Sequence, residues 1–175
     1  MLPGCAFLRE SWQGGATLDP RPSLESIRVD PVREEPPAHF SVFGIPVRVG
    51  ASFWLMTFLF GLQGRNVRSA LLWVVVCFVS VLLHELGHAL VARSFGARAS
   101  ITLHGFGGET HHSTLSRRQD LLVSLAGPFA GFFFGAVVYL LRPYLPGLSA
   151  VAGLLLAVNV GWGIMNLLPV LPFDG

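Results

Sequence analysis

The sequence contains no lysine; all twelve of its basic residues are arginines. Charged residues of both signs make up only 13% of the 175 positions, where an ordinary soluble domain carries roughly 25%. A formal net charge of +2 is too small for the basic footprint that phosphate binding needs, so no nucleic-acid partner is expected. The two cysteines, Cys5 and Cys77, do not make a disulfide framework. Cys77 lies in an apolar run and reads as a small packed hydrophobe. Residues 1–38 have no apolar core behind a basic start, which argues against a secretory signal. They carry Pro20, Pro22, Pro31, Pro36 and Pro37 and read as a disordered tail.

Apolar length is what the chain does have. Hydrophobic residues reach 52% and the mean hydropathy is +0.60, which points to a lipid bilayer as its surroundings. Four apolar segments stand out: 51–62, about 69–95, 121–141 and about 148–171. A crossing helix needs about 20 residues, so the first is short and must borrow from the preceding "VRV", tilt, or cross a thinned bilayer. Between the second and third segments, "SITLHGFGGET" is too rich in glycine and β-branched residues for a helix. It reads as a re-entrant, hairpin-like loop, which membrane depth tolerates only where protein or water satisfies its backbone. The expected fold is an all-α polytopic membrane protein of about four transmembrane helices with that short β element, its membrane-embedded core covering 39–175. Arg33, Arg48, Arg93, Arg98, Arg117 and Arg118 flank one side, against Arg65, Arg68 and Arg142 on the other. By the positive-inside rule the N-terminal tail and the 93–120 loop are then cytoplasmic.

Inside the second segment stands "LLHELGHAL", an H-E-x-x-H pattern formed by His84, Glu85 and His88. On a helix the two histidines are four residues apart and share one face. Two imidazoles so placed can bind one zinc ion, with Glu85 as general base toward a water held there. Paired structural hydrogen bonds are the plain alternative. Its weakness is location, because ionisable groups in hydrocarbon cost at least a few kcal/mol and normally face a bundle interior or cavity.

A catalytic zinc usually takes three protein ligands and keeps an open position. Asp174 is the only acidic residue after Asp120, and it follows Asn166, Pro169 and Pro172 in "NLLPVLPFDG". The prolines should unwind the fourth segment and let Asp174 turn inward, although a solvated helix end would also explain it. Depth favours the first reading. The histidines lie on the order of 8–14 Å from the Arg93 end of their segment. "AGP" at 126–128 and Asp174 fall near the same membrane face when spans alternate. Small Ala126 and Gly127 would let the third helix approach closely.

Together "LLHELGHAL", "GFGG", "SLAGPFAG" and "NLLPVLPFDG", in that order, resemble the site-2 protease family of intramembrane zinc metalloproteases, over about Phe40 to Gly175. The resemblance implies one Zn2+ per chain on His84, His88 and Asp174, Glu85 as catalytic base and proton shuttle, and Asn166 near the substrate carbonyl. It implies transmembrane protein substrates cut within the bilayer, in a multi-pass protein of the bacterial cell membrane. The GFGG loop matches a family β element, and at Gly107 and Gly108 an extended substrate could add as a strand. Family members usually continue past the Asp-Gly with a further span, so a C-terminally truncated member is expected. Two rivals follow from the same residues: an inactive membrane scaffold, or a metal transporter, against which Glu85 between the histidines argues. A second metal at His104, His111 and His112 is not expected.

Overall fold

The structure, a computed structural model, describes residues 40–64, 66–144 and 146–167. The expected tail at 1–38, together with Pro169, Pro172 and Asp174, lies outside them. Four helices and four strands follow in the order β1 (Phe40–Val42), β2 (Ile45–Val49), α1 (Ala51–Gly61), α2 (Val67–Ser94), β3 (Ala99–His104), β4 (Gly107–His112), α3 (Arg117–Leu141) and α4 (Ser149–Asn166).

Three helices among the described residues, α2, α3 with its short extension to Tyr144, and α4 with the turn before it, are long and apolar enough to cross a membrane. α1 is not. Its 11 residues rise about 16 Å. The "VRV" it was expected to borrow belongs instead to β2. α2 starts on Asn66, whose side chain accepts a hydrogen bond from the Ser69 backbone N–H at 2.7 Å, the usual way to satisfy an orphan donor in a helix's first turn. α3 starts with a capping box in which Ser116 and Gln119 serve each other's backbone.

The expected hairpin is β3–β4, but it is half of a larger sheet. The strand order is β1-β2-β3-β4, with β2 parallel to β3 and the other two pairs antiparallel. The reason is backbone chemistry. A hairpin at membrane depth would leave β3's outer edge unpaired, at several kcal/mol per orphan group. β2 takes that edge, and the Gly50 N–H extends the pairing to the Leu103 carbonyl at 2.8 Å. β2 is buried at every second residue, Ile45, Val47 and Val49, the period-two pattern of a strand with one packed face. These pack with Ile101 and Leu103 of β3, Phe53 of α1, and Val81, Leu86 and Ala89 of α2.

This packing lays the sheet along α2. At one end Arg93, in the last turn of α2, donates to the Phe43 carbonyl in the β1–β2 turn. At the other end the β3–β4 turn meets α1, where the Gly105 N–H donates to Ser52 Oγ at 3.2 Å. Six residues of strand span about 20 Å, so the sheet dips from the Arg93 end toward the middle of α2. Phe106 sits at its tip, 85% exposed.

Candidate metal centre

His84, Glu85 and His88 are each no more than 4% exposed, although all three lie within a span-capable helix. The ligand atoms they offer lie within 4.8 Å of one another. A helix brings the two rings to one face; the neighbouring elements set their orientation.

His88 is aimed by α3. Its Nδ1 lies 2.7 Å from the Val123 carbonyl. A carbonyl can only accept, so Nδ1 carries the proton and Nε2 presents a lone pair. Pro128 lies inside α3 and has no N–H to offer the Ser124 carbonyl four residues back, one residue after the Val123 carbonyl that faces His88. Gly127 makes the approach possible: a Cβ there would lie 2.1 Å from His88 Nε2. The α2–α3 seam is equally tight one residue earlier. A Cβ on Gly87 would meet the Ala126 carbonyl at 2.6 Å and Ala130 at 2.8 Å. Small residues at such seams are how helices approach in lipid, where apolar burial gives little.

His84 Nε2 lies 3.2 Å from His88 Nε2. Asn166, the last residue of α4, places Nδ2 3.3 Å from His84 Nε2. An amide nitrogen only donates, so His84 also turns a lone pair toward this point. Both Nε2 atoms therefore converge on one point, 3.2 Å apart. Two nitrogens at tetrahedral positions, 2.0–2.1 Å from one zinc ion, would be about 3.3 Å apart. The residues present therefore fit the ion, with two of its ligands on α2.

Glu85 is aimed by the sheet. Thr110 Oγ1 on β4 lies 2.7 Å from Glu85 Oε2, to which it donates, and 3.1 Å from the Glu85 backbone carbonyl. Gly108, two residues earlier on the same strand face, lies under the carboxylate: a Cβ there would come within 2.5 Å of Glu85 Cγ. Gly107 faces the other way, toward Trp162 of α4, with a φ of +136° that side chains rarely adopt.

Of the residues expected from sequence, His84, Glu85, His88 and Asn166 meet at one point, with Gly108 against it and Gly107 beside it. Asp174 lies outside the described residues. Sequence reasoning did not single out Thr110 or the Val123 carbonyl. For Thr110 a signal existed, since it sits two positions after Gly108 in a strand and so shares its face. His104, His111 and His112 stay apart from this cluster; His111 Nδ1 is 3.6 Å from Glu109 Oε1 on the exposed part of β4.

The solved site-2 protease from Methanocaldococcus jannaschii superposes with a TM-score of 0.62 at 28% identity, over 78% of this chain and 66% of that one. A curated zinc metalloprotease of the same organism is 32% identical over 145 residues, 78% of this chain and 42% of the relative. The chain belongs to the site-2 protease family. A Synechocystis family relative, also named as a zinc metalloprotease, is 34% identical over 154 residues, 77% of this chain and 41% of its own length. The chain spans about two fifths of the length of these curated relatives. No family model matches it. Membership also accounts for the small sheet and the three span-capable helices as parts of one membrane protein.

Proposed function

We propose that this chain carries the catalytic centre of an intramembrane zinc metalloendopeptidase that hydrolyses peptide bonds of membrane-spanning proteins in regulated intramembrane proteolysis. The observation that carries it is the buried pair of imidazole nitrogens 3.2 Å apart, beside an ionisable carboxylate, inside a membrane helix. His84 and His88 hold the zinc, one per chain, and Asp174 is the third ligand. When bound, zinc supplies a Lewis acid and makes hydroxide available near neutral pH.

The chain's own residues do the rest. Val123 keeps the His88 tautomer that can bind metal. Thr110 orients the Glu85 carboxylate through the hydrogen bond to Oε2, and as general base Glu85 takes a proton from water and passes it to the leaving amine. Asn166 stands at the same point with an amide N–H for the substrate carbonyl. Among the described residues β4 is an edge of the sheet, and in lipid an unpaired edge is costly. An unwound substrate segment satisfies that edge by pairing along Gly107 and Gly108, which also brings its carbonyls within reach of Glu85. The arginine bias supports a cytoplasmic tail and 93–120 loop, in what we read as a multi-pass protein of the bacterial cell membrane.

The test is cleavage of a transmembrane substrate by the purified protein in liposomes, abolished by a zinc chelator and restored by added zinc. Zinc flux across the liposome without cleavage would favour a transporter, and zinc-free protein that still binds the substrate would favour a scaffold. Replacing Thr110 by Val should lower turnover about 10–100-fold, as loss of an outer hydrogen bond at a metal site typically does, while Thr110→Ser restores it. Equal rates for all three would remove Thr110 from the mechanism.

A further inference from the structure

We infer that the substrate is selected by a large apolar side chain just to the membrane-core side of the cleaved bond, and that a cavity beyond the Gly107 end of β4 receives it. This deepens the proteolytic reading and rests on it. The cavity, about 490 Å³, lies among α1, α2 and α4, with walls including Phe53, Phe60, Trp73, Val81 and Trp162 and with Gly107 at its border. Trp73 and Val81 precede His84 on α2 by eleven and three residues, so the cavity lies about 5–16 Å further along α2 from the Arg93 end than the metal centre does.

The strand supplies the register. Gly108 lies against Glu85, and Gly107, one residue on, borders the cavity through Trp162. A chain paired along β4 rises about 3.3 Å per residue. The residue opposite Gly108 is then beside the carboxylate, and those one to three positions deeper run off the strand end into the cavity. The cavity's size falls within the roughly 300–1,000 Å³ of pockets that enclose a small ligand, enough for a whole aromatic side chain. That continuity with the strand edge favours a substrate side chain over a lipid tail, which would need no strand beside it.

Two measurements test this. First, a substrate helix carrying benzoylphenylalanine two positions to the core side of the cut is photolysed with the Glu85→Gln protein in liposomes. Adducts should map to the cavity walls around Ala157, the α4 residue that lines the cavity a little over one turn before Trp162, and an Ala157→Trp substitution in the same protein should lower their yield about tenfold. Adducts elsewhere, or on lipid alone, overturn the proposal. Second, the active protein should cleave a substrate with Phe at that position roughly 10–100-fold faster than one with Ala, the range expected for apolar recognition, and Ala157→Trp should erase the preference. Equal cleavage of both substrates by the unmodified protein overturns the pocket and leaves the protease reading standing. Adducts on the cavity walls without cleavage of any substrate support the pocket and overturn the protease reading.

Discussion

Replacing Glu85 by Gln should leave zinc bound and end proteolysis. Glutamine has nearly the same shape, so it fits over Gly108, where the clearance is too small for even a Cβ. Its carbonyl oxygen can still accept from Thr110 Oγ1. It cannot accept a proton from water or return one to the leaving amine. General acid–base catalysis contributes about 10²–10⁴-fold, and the rate of substrate cleavage in liposomes should fall by that factor with an unchanged zinc content. Cleavage at the unmodified rate would end the assignment of Glu85 as base. Loss of zinc along with activity would mean instead that Glu85 helps hold the ion.

The second large effect is expected far from the H-E-x-x-H pattern, at Gly127. An alanine there places its Cβ 2.1 Å from His88 Nε2, well inside van der Waals contact. Withdrawal of α3 would open the closely packed Gly87–Ala126 seam and expose Pro128, which is fully buried, so it is the costlier response. The imidazole must therefore swing away, giving up the Val123 carbonyl and its place opposite His84. Zinc affinity should drop by roughly 100-fold, the upper range for loss of a ligand's supporting partner. Competition with a chelator of known affinity measures this. Gly161→Ala is the control, since a Cβ at Gly161 meets nothing within 4 Å, and zinc binding should be unaffected. Normal zinc affinity in Gly127→Ala would show that His88 is not a ligand in the position described.

Two such different residues, one in the motif and one outside it, illustrate how much of the site could be read before the fold was known. The H-E-x-x-H run was legible because its cost was legible: three ionisable groups in an apolar segment need an inward face and a purpose. The extents of α2, α3 and most of α4 were legible for a similar reason, since a bilayer sets helix length. The role of β1 and β2 was not. "FSVFGIPVRV" carries no strong strand signal by itself, and its job, to pair the outer edge of β3, exists only once β3 has formed. α1 was half legible, recognisably short, with its preceding residues committed to a strand rather than to a longer helix.

What the sequence by itself determined is the local chemistry: helical periodicity puts His84 and His88 on one face with Glu85 adjacent, whatever surrounds them. Only the tertiary structure decided how those side chains are held. Val123, Thr110 and Asn166 lie 35, 25 and 82 residues from the groups they orient. Their contacts depend on how closely three helices and a sheet edge can approach, which in turn depends on the absence of a Cβ at Gly87, Gly108 and Gly127. A helix's period is a property of consecutive residues. The clearance between elements distant in sequence is a property of the packed whole, and it is that clearance which turns two histidines and a glutamate into a candidate metal centre.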